Sequence, residues 1–421
     1  MSIINKNNFF SPLEIQDVRE RENNLFSNFS EKLNYIVSKS KGWRKILSGC
    51  KIDEINSRKD LEKLPITKKT SLIDLQKNNL PYAELNTKDC KGFPFMFASP
   101  GPIYEPGETG DFWNMASSMH AAGLRKGDLV YNTFSYHLGP AGLMMNNSAN
   151  FLGCTVLPGG VGNTDLQVAT IESLKPNFYL GTPSFLKILL EKIKEKNSEF
   201  SCFKNALVGA EAFPKDLREY FSNDYNISPL QMYGTAEVGC IAYETINENN
   251  KINEGMVIEE NIIIEIVRPG TLEQVSMGEV GEVVVTKINS NYPMIRLATG
   301  DLSALIKEES PCGRTNLRIK GWMGRAEQST KLKGLFVTPN QVGMVLKKFN
   351  DILKVRLVID RKDLLDYAIL YCEVKEEDSL DTEIVKSFFK QEFKLNIKVE
   401  LVSKDTIRND GIVIEDKRNN N

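Results

Sequence analysis

Apolar residues recur at helical spacing through the first fifty positions. Leu13, Ile15, Val18, Leu25, Phe26, Phe29, Leu33, Ile36 and Val37 stand among charged neighbours three or four residues apart. Two amphipathic helices are expected there. Leu64-Pro65-Ile66-Thr67-Lys68-Lys69 interrupts the pattern, and Thr67 is placed to cap the helix that follows. From about residue 92 the rhythm changes to short apolar strands, Gly/Pro turns and amphipathic helices. The reading is helix 111–122, strand 129–134, helix 139–152, strand 155–158, helix 166–174, strand 178–181, helix 183–195, strand 205–208 and helix 214–221. Such alternation predicts parallel strands with helices on both faces, and ligands at the carboxyl ends of the strands.

The next stretch differs. Residues 257–258, 262–267, 279–287 and 302–306 are β-rich and joined by turns such as Pro269-Gly270 and Met277-Gly278, which suggests an antiparallel subdomain. The last stretch returns to alternation: helix 339–349, strands 354–360 and 366–374, helix 382–393 and strand 398–402. The fold class is α/β. A large N-terminal domain, 1–326, comprises a helical lead-in (1–90), parallel sheets flanked by helices (91–250) and the β-rich subdomain (251–326). A small α+β domain, 327–421, follows.

Composition narrows the function classes. Of 421 residues, 41% are hydrophobic and 26% charged, as in a folded globular protein. The net charge of −2 offers no global field for nucleic acid or an anionic membrane, so neither is an expected partner. Basic pairs such as Arg44-Lys45 and Lys347-Lys348 are scattered and read as solvated helix faces. Seven cysteines lie far apart with no C-x-x-C pair, and the only histidines are His120 and His137. A structural zinc site needs about four clustered ligands and is excluded. Unpaired thiols, no apolar h-region at the start and no run of about 18 apolar residues point to a cytoplasmic protein.

Four segments interrupt apolar strands with glycine and polar residues. They are Val208-Gly209-Ala210-Glu211, Gln231-Met232-Tyr233-Gly234-Thr235-Ala236-Glu237, Tyr292-Pro293-Met294-Ile295-Arg296-Leu297-Ala298-Thr299-Gly300-Asp301-Leu302, and Arg318-Ile319-Lys320-Gly321-Trp322-Met323-Gly324-Arg325-Ala326-Glu327-Gln328, the last followed by Lys331-Leu332-Lys333-Gly334. Singly, each can be a turn or a hairpin loop. Their joint order and spacing is a stronger signal. The set resembles the signatures of the adenylate-forming (acyl-CoA synthetase) superfamily, and in particular its phenylacetate–CoA ligase-like branch. Ser11-Pro12-Leu13-Glu14, the Leu64–Lys68 segment, Gly181-Thr182-Pro183-Ser184, Cys312-Gly313-Arg314 and Val337-Thr338-Pro339-Asn340-Gln341-Val342 extend the likeness over nearly the whole chain.

The resemblance implies an ATP-dependent acid–thiol ligase. It would form an acyl-adenylate from a small aromatic or related carboxylic acid, then an acyl-CoA thioester, with ATP, Mg2+ and coenzyme A as cofactors. It also implies a homodimer. By the same resemblance Asp301 is the ribose ligand, an acceptor-only carboxylate suited to two hydroxyls. Arg325 reaches ribose or phosphate with its planar fork, and Glu237 is the catalytic acidic residue that holds the metal, a hard ion that takes oxygen. Tyr233, Gly234 and Thr235 lie along the nucleotide, with Gly209, Ala210 and Glu211 on its other side. Arg296 braces the Asp301 turn. His137 and Tyr136 fall at the substrate carboxylate, where His137 is a catalytic candidate and is equally readable as an ordinary surface or core histidine. Gly209, Gly234 and the Pro158-Gly159-Gly160 turn wall the acyl pocket. Glu327-Gln328 matches a hinge, which makes 327–421 a lid.

Two stations depart from the resemblance. Where the family has a Ser/Thr/Gly phosphate loop with a lysine, this chain reads Ala98-Ser99-Pro100-Gly101-Pro102-Ile103-Tyr104-Glu105-Pro106-Gly107. Two prolines remove donors, Glu105 would repel phosphate, and no lysine is present. In Arg408-Asn409-Asp410-Gly411-Ile412-Val413 the lid lysine position holds Ile412, leaving Lys417 as the candidate substitute. The alternative reading is a divergent member that binds nucleotide or acyl-adenylate with weak or no adenylation. A third passes the acyl group to a carrier protein or an amine. If the missing lid lysine is the defect, Ile412→Lys raises the rate of pyrophosphate release; a folded variant with no gain rejects that explanation.

Overall fold

The computed structural model describes residues 9–196, 202–268, 273–288, 290–323, 325–326, 330–332, 335–337, 339–362, 365–375, 380–408 and 412–418. It divides into two compact units, Met1–Thr299 with Ser303–Trp322, and Gly300–Leu302 with Met323–Asn421. The turn at Pro269-Gly270, the hinge at Glu327-Gln328 and motif positions 324, 333–334, 338 and 409–411 lie outside the described residues.

In the first unit the lead-in forms three helices where spacing suggested two: α1 (Val18–Phe26), α2 (Phe29–Lys39) and α3 (Lys41–Ile46). Asp17 caps α1 by accepting from the Arg19 and Glu20 N–H groups at 2.9 and 3.2 Å. Ser40 ends α2 in an extended conformation and caps α3, its hydroxyl accepting from the Trp43 N–H at 3.0 Å. Apolar spacing does not register such a break, because it is made by a side-chain oxygen competing for backbone donors. Trp43 is fully buried, and its indole N–H donates to the Pro293 carbonyl at 3.1 Å.

Thr67 does not cap a helix. It lies in β1 (Thr67–Lys68), paired in parallel with Leu297, and α4 (Lys69–Asn78) begins without a side-chain cap. The hairpin of β2 (Phe95–Ser99) and β3 (Ile103–Gly107) follows. The helix expected over 111–122 is shorter, α5 (Ala116–Ala121). The Asp111 carboxylate precedes it and accepts from the Met115 and Ala116 N–H groups at 2.9 and 3.1 Å.

The alternation then runs β4 (Leu129–Asn132), α6 (Ala141–Phe151), β5 (Thr155–Pro158), α7 (Thr164–Leu174), β6 (Phe178–Gly181), α8 (Pro183–Glu195), β7 (Asn205–Val208), α9 (Lys215–Tyr225) and β8 (Ser228–Thr235). The strands lie in the order β5-β4-β6-β7-β8, all parallel. Along β6 the burial alternates. Phe178 and Leu180 pack with Met119 and Met144 on one side, and Tyr179 packs with Leu186 and Leu189 on the other. Helices on both faces are what short, continuously apolar strands require.

Strands β9 (Gly239–Tyr243) and β10 (Met256–Ile258) continue this sheet in antiparallel fashion. Next come β11 (Ile263–Val267), β12 (Gly281–Lys287), whose entry includes the turn at Met277-Gly278, and β13 (Met294–Ser303). With β1 these form a separate four-stranded sheet, in which β11 and β12 pair antiparallel and β1 pairs with β13 in parallel. β14 (Leu305–Ile306) and β15 (Arg318–Ile319) rejoin the first sheet, giving nine strands among the described residues. The 251–326 stretch therefore contributes to two sheets.

Arg296 is fully buried on β13 at φ 46°. Its Nε and Nη2 donate to Glu265 of β11 at 2.9 and 2.8 Å, and its Nη1 donates to the Leu64 carbonyl. The bracing expected of Arg296 at the Asp301 turn is thus directed at Glu265 and the lead-in.

The second unit contains the ribbon β16 (Thr330–Leu332) and β17 (Leu335–Val337), then α10 (Pro339–Lys348), β18 (Ile352–Lys362), β19 (Leu365–Val374), α11 (Thr382–Phe393), β20 (Lys398–Val402) and β21 (Ile414–Asp416). Its main sheet runs β20-β19-β18-β21. The central pair is antiparallel, and each edge strand is parallel to its neighbour. Val342, Val345, Val385 and Phe389 close a core with Leu357 and Leu370.

Removing one partner of a buried ion pair leaves the other charge uncompensated. Arg296→Met is therefore expected to cost about 3–5 kcal/mol in denaturant unfolding of the first unit, and Arg296→Lys to recover only part. A loss under about 1 kcal/mol, the range of an exposed pair, would contradict this account.

Candidate functional site

The carboxyl ends of the parallel strands carry the candidate residues, as the topology requires. After β4, buried Asn132 organises the first loop. Its amide donates to the Tyr136 hydroxyl at 2.8 Å and to the Gly142 carbonyl at 2.9 Å, and its oxygen accepts from the Phe134 N–H at 3.1 Å. Asn146 Oδ1 lies 3.3 Å from the same hydroxyl, and burial pushes the phenol up to about 12. A Cβ on Gly142 would stand 2.7 Å from both the Ser135 carbonyl oxygen and the Tyr136 ring, so glycine is what admits Tyr136 here. His137 is exposed, its N–H donating to Ser135 Oγ at 3.1 Å. The next carbonyl, Leu138, accepts from the Ala98 N–H at 2.9 Å, which sets this loop against the β2–β3 hairpin.

After β7 come Gly209, Ala210 and Glu211. A Cβ at Gly209 would lie 2.6 Å from Met232 Cε, and Ala210 holds the left-handed region at φ 66°. The Glu211 carboxylate accepts from the Ser184 N–H at 2.6 Å and Oγ at 3.0 Å, an anion on the N-terminal turn of α8. On β8, the Tyr233 hydroxyl donates to Thr299 Oγ1 at 3.3 Å. A Cβ at Gly234 would lie 2.5 Å from the Gly239 carbonyl oxygen, so the close pairing of β8 with β9 demands this glycine. Thr235 Oγ1 is buried without a hydrogen-bond partner.

Glu237 is buried and held by a residue the motifs did not single out. Lys69 Nζ, from the first turn of α4, stands 2.9 and 3.1 Å from its two carboxylate oxygens. The only local hint was electrostatic: a lysine in the first turn of a helix opposes the helix dipole. Glu105 also differs from expectation. It is not displayed to solvent but buried on the hairpin, accepting from Ser99 Oγ at 2.9 Å. Burial, reinforced by the Glu237 charge, pushes its carboxyl up to about 8, so at neutral pH it presents little negative charge. Lys287 was also missed. Wholly buried, it donates to the Phe112 and Val238 carbonyls, both at 2.9 Å, and so fixes the backbone directly after Glu237.

In the second unit Asp301 and Arg325 meet at 3.0 Å, with the Ala326 N–H donating to the Gly300 carbonyl at 2.7 Å. Lys417 donates its backbone N–H to the Ile359 carbonyl at 2.8 Å, and its ammonium lies 3.7 Å from Glu415. Arg356 donates from Nε to the Ile412 carbonyl and from Nη2 to the Arg408 carbonyl, both at 3.1 Å. Ile412 itself is exposed.

The donor chemistry fits the implied groups. Glu237 and the partnerless Thr235 Oγ1 are oxygen ligands of the kind a hard divalent cation takes. Asp301, paired with a guanidinium, is an acceptor-only carboxylate, the group type that hydroxyl donors take.

Comparison with known proteins gives the same direction. The AMP-binding enzyme family matches residues 111–290. Phenylacetate-coenzyme A ligase of Thermus thermophilus is 29% identical over 375 residues, covering 84% of this chain and 83% of that protein. Phenylacetate-coenzyme A ligase of Pseudomonas putida is 30% identical over 346 residues, covering 78% and 76%. Among solved structures, 2-hydroxyisobutyryl-CoA ligase in complex with 2-HIB-AMP and CoA in the thioesterification state superposes with a TM-score of 0.75. The identity is 22%, over 98% of this chain and 93% of that one. At that identity the likeness speaks for the fold.

The backbone contact at Gly234 generates a simple test. Gly234→Ala is expected to destabilise the first unit by about 1–3 kcal/mol through overpacking, seen as a lowered melting temperature. An unchanged melting temperature would show that β9 can yield.

Proposed function

The chain belongs to the phenylacetate–coenzyme A ligase family; it is an AMP-forming acid–thiol ligase, and we propose that its acid is a small aromatic or related carboxylic acid. In the first step a carboxylate oxygen attacks the α-phosphorus of ATP, and the α–β anhydride bond breaks to release pyrophosphate. In the second, the coenzyme A sulfur attacks the adenylate carbonyl, AMP leaves with the bonding electrons, and the thiol proton passes to solvent. Both are displacements in which a protein chiefly positions groups and offsets charge.

We assign the ribose hydroxyls to Asp301, with Arg325 holding that carboxylate and reaching sugar or phosphate. Tyr233 and the 209–211 turn flank the adenine, with Gly234 and Thr235 beside them, and Tyr136 and His137 face the acid. Glu237 with Thr235 would hold Mg2+, whose role when bound is to offset phosphate charge. Residues 327–421 act as the lid, turning about 327–328, and Lys417 is its candidate cation. The observation that carries the nucleotide assignment is the Asp301–Arg325 pair: side chains far apart in sequence and 3.0 Å apart in space. Such a pair offers a ribose acceptors and donors together.

Two features favour the second reading, a member that binds nucleotide or acyl-adenylate but adenylates weakly or not at all. The hairpin contains two prolines, Glu105 and no lysine, and Ile412 stands at the position that the resemblance gives to the lid lysine. Pyrophosphate release with Mg-ATP, coenzyme A and a panel of aryl and alkyl acids separates them. Release with aryl acids supports the ligase and its proposed substrate, and release with alkyl acids alone overturns the substrate. No release despite nucleotide binding selects the second reading. For the nucleotide site, Asp301→Ala is expected to abolish ATP binding by calorimetry; unchanged affinity refutes the assignment.

A further inference from the structure

Lysine is almost never fully buried unless it is paired, because burial favours the neutral amine. Lys287, the last residue of β12, is 3% exposed. Burial pushes its ammonium down to about 8, against the pull of the Glu259 and Asp111 carboxylates. Yet among the described residues neither carboxylate is its hydrogen-bond partner. Glu259 accepts from the Asn261 N–H at 2.7 Å, and from the Asn261 and Asn114 side-chain amides at 3.2 and 3.3 Å. Asp111 accepts from the Met115 and Ala116 N–H groups. The lysine's own bonds go to two backbone carbonyls, Phe112 and Val238, both at 2.9 Å.

Those carbonyls belong to segments that meet only in the folded chain. Val238 lies in the corner between β8 and β9, directly after Glu237, and Phe112 lies in the segment before α5. Strand pairing ends at Thr235 and Gly239, so residues 236–238 lie outside the ladder. Beside the lysine, the Cys240 N–H donates to the Trp113 carbonyl at 2.8 Å. A Cβ on Gly239 would stand 2.1 Å from that same oxygen, so only glycine lets the corner approach Trp113 this closely. The Phe112 ring packs near the ammonium, its centroid 5.4 Å from Nζ. One cation from the sheet of β11, β12, β13 and β1 thus ties the β8–β9 corner of the nine-stranded sheet to the chain before α5. The Glu237 side chain on that corner has no solvent contact. A side chain so enclosed is aimed by the backbone that carries it.

We propose that Lys287 is a positioning residue for the metal-holding carboxylate: its ammonium fixes the corner that aims Glu237 at the divalent ion accompanying ATP. The inference rests on the ligase reading, and on Glu237 as the metal ligand. Metal–oxygen distances tolerate only about 0.2 Å of error, and a corner outside the strand ladder needs an external tie to hold that tolerance. An ammonium suits the task, because its donors serve two acceptors at once without imposing a plane.

The test is calorimetry on the full chain, with ATP titrated in the presence of magnesium and again in its absence. The ratio of the two affinities isolates the metal's share. Lys287→Met keeps the length of the side chain and loses every donor. It is expected to lower that ratio by about 10–100-fold, the range for groups standing behind a metal ligand, while magnesium-free affinity stays within about twofold. An equal loss with and without magnesium, or no loss, overturns the proposal and leaves Lys287 a structural tie. In Glu237→Gln the carboxylate is gone and its aim no longer matters, so adding Lys287→Met is expected to leave the ratio unchanged. A further fall of the same size overturns the proposal. If Lys287→Met does not fold, Lys287→Gln carries the test. Its amide stops one bond short and cannot span both carbonyls, so a fall of about threefold or more is expected, the scale of one neutral hydrogen bond; no fall overturns the proposal. Unaltered protein that binds ATP equally with and without magnesium would sink the metal role of Glu237 and this inference with it. Failure to bind ATP at all would instead sink the nucleotide assignment.

Discussion

A charged carboxylate is costly to bury alone, and the first unit meets that constraint with a set of ion pairs. Glu14 is met by Arg314 at 2.9 Å, Glu260 by Arg21 at 3.0 Å, Glu265 by Arg296 at 2.8 Å and Glu237 by Lys69 at 2.9 Å. In each pair one residue comes from the N-terminal lead-in, or, for Arg296, also binds the lead-in through the Leu64 carbonyl. An apolar patch tolerates a slip of an ångström; a buried ion pair loses its compensation on the same slip. The lead-in is thus held in register by charge as well as by the burial of Trp43, Leu61 and Leu64. That register is what carries Lys69 to Glu237.

The alternating region was legible because its physics is local. A strand buried on both faces is a short continuous apolar run, and 178–181 and 205–208 read as such runs and fold as β6 and β7, while 155–158 folds as the partly exposed edge strand β5. Helix α8 was legible because Thr182 and Pro183 mark its start. The failures share a different cause. Ser40 divides two helices, Asp111 precedes a helix instead of joining it, and Thr67 pairs with Leu297 on a distant strand. The first two turn on a side-chain oxygen competing for backbone donors; the third turns on a partner far along the chain. Apolar periodicity is blind to both.

The same division runs through the site. Glu237, Asp301 and Arg325 could be nominated from the sequence because each sits in a contiguous motif, whereas the contacts of Lys69 and Lys287 could not, since they are made only in the folded chain. Motif residues also proved to serve the scaffold. Gly234 is demanded by the Gly239 carbonyl, and the Glu211 carboxylate is spent on the first turn of α8.

The two departures from the family pattern differ in physical kind. At the position that the resemblance gives to the lid lysine, Ile412 carries no charge. Arg356 donates to the Ile412 and Arg408 carbonyls and stands 3.8 Å from Glu415. The hairpin, by contrast, is a rebuilt station. An exposed carboxylate would ordinarily add a full negative charge beside Glu237, yet burial and the Glu237 charge push the Glu105 carboxyl upward, against the opposing pull of the Ser99 hydrogen bond. A merely decayed loop would be expected to leave an unwanted acid in solvent, where it costs the fold nothing. Burying it instead means that the cost of desolvating a carboxyl group was met within the hairpin, and the beneficiary is the potential around Glu237.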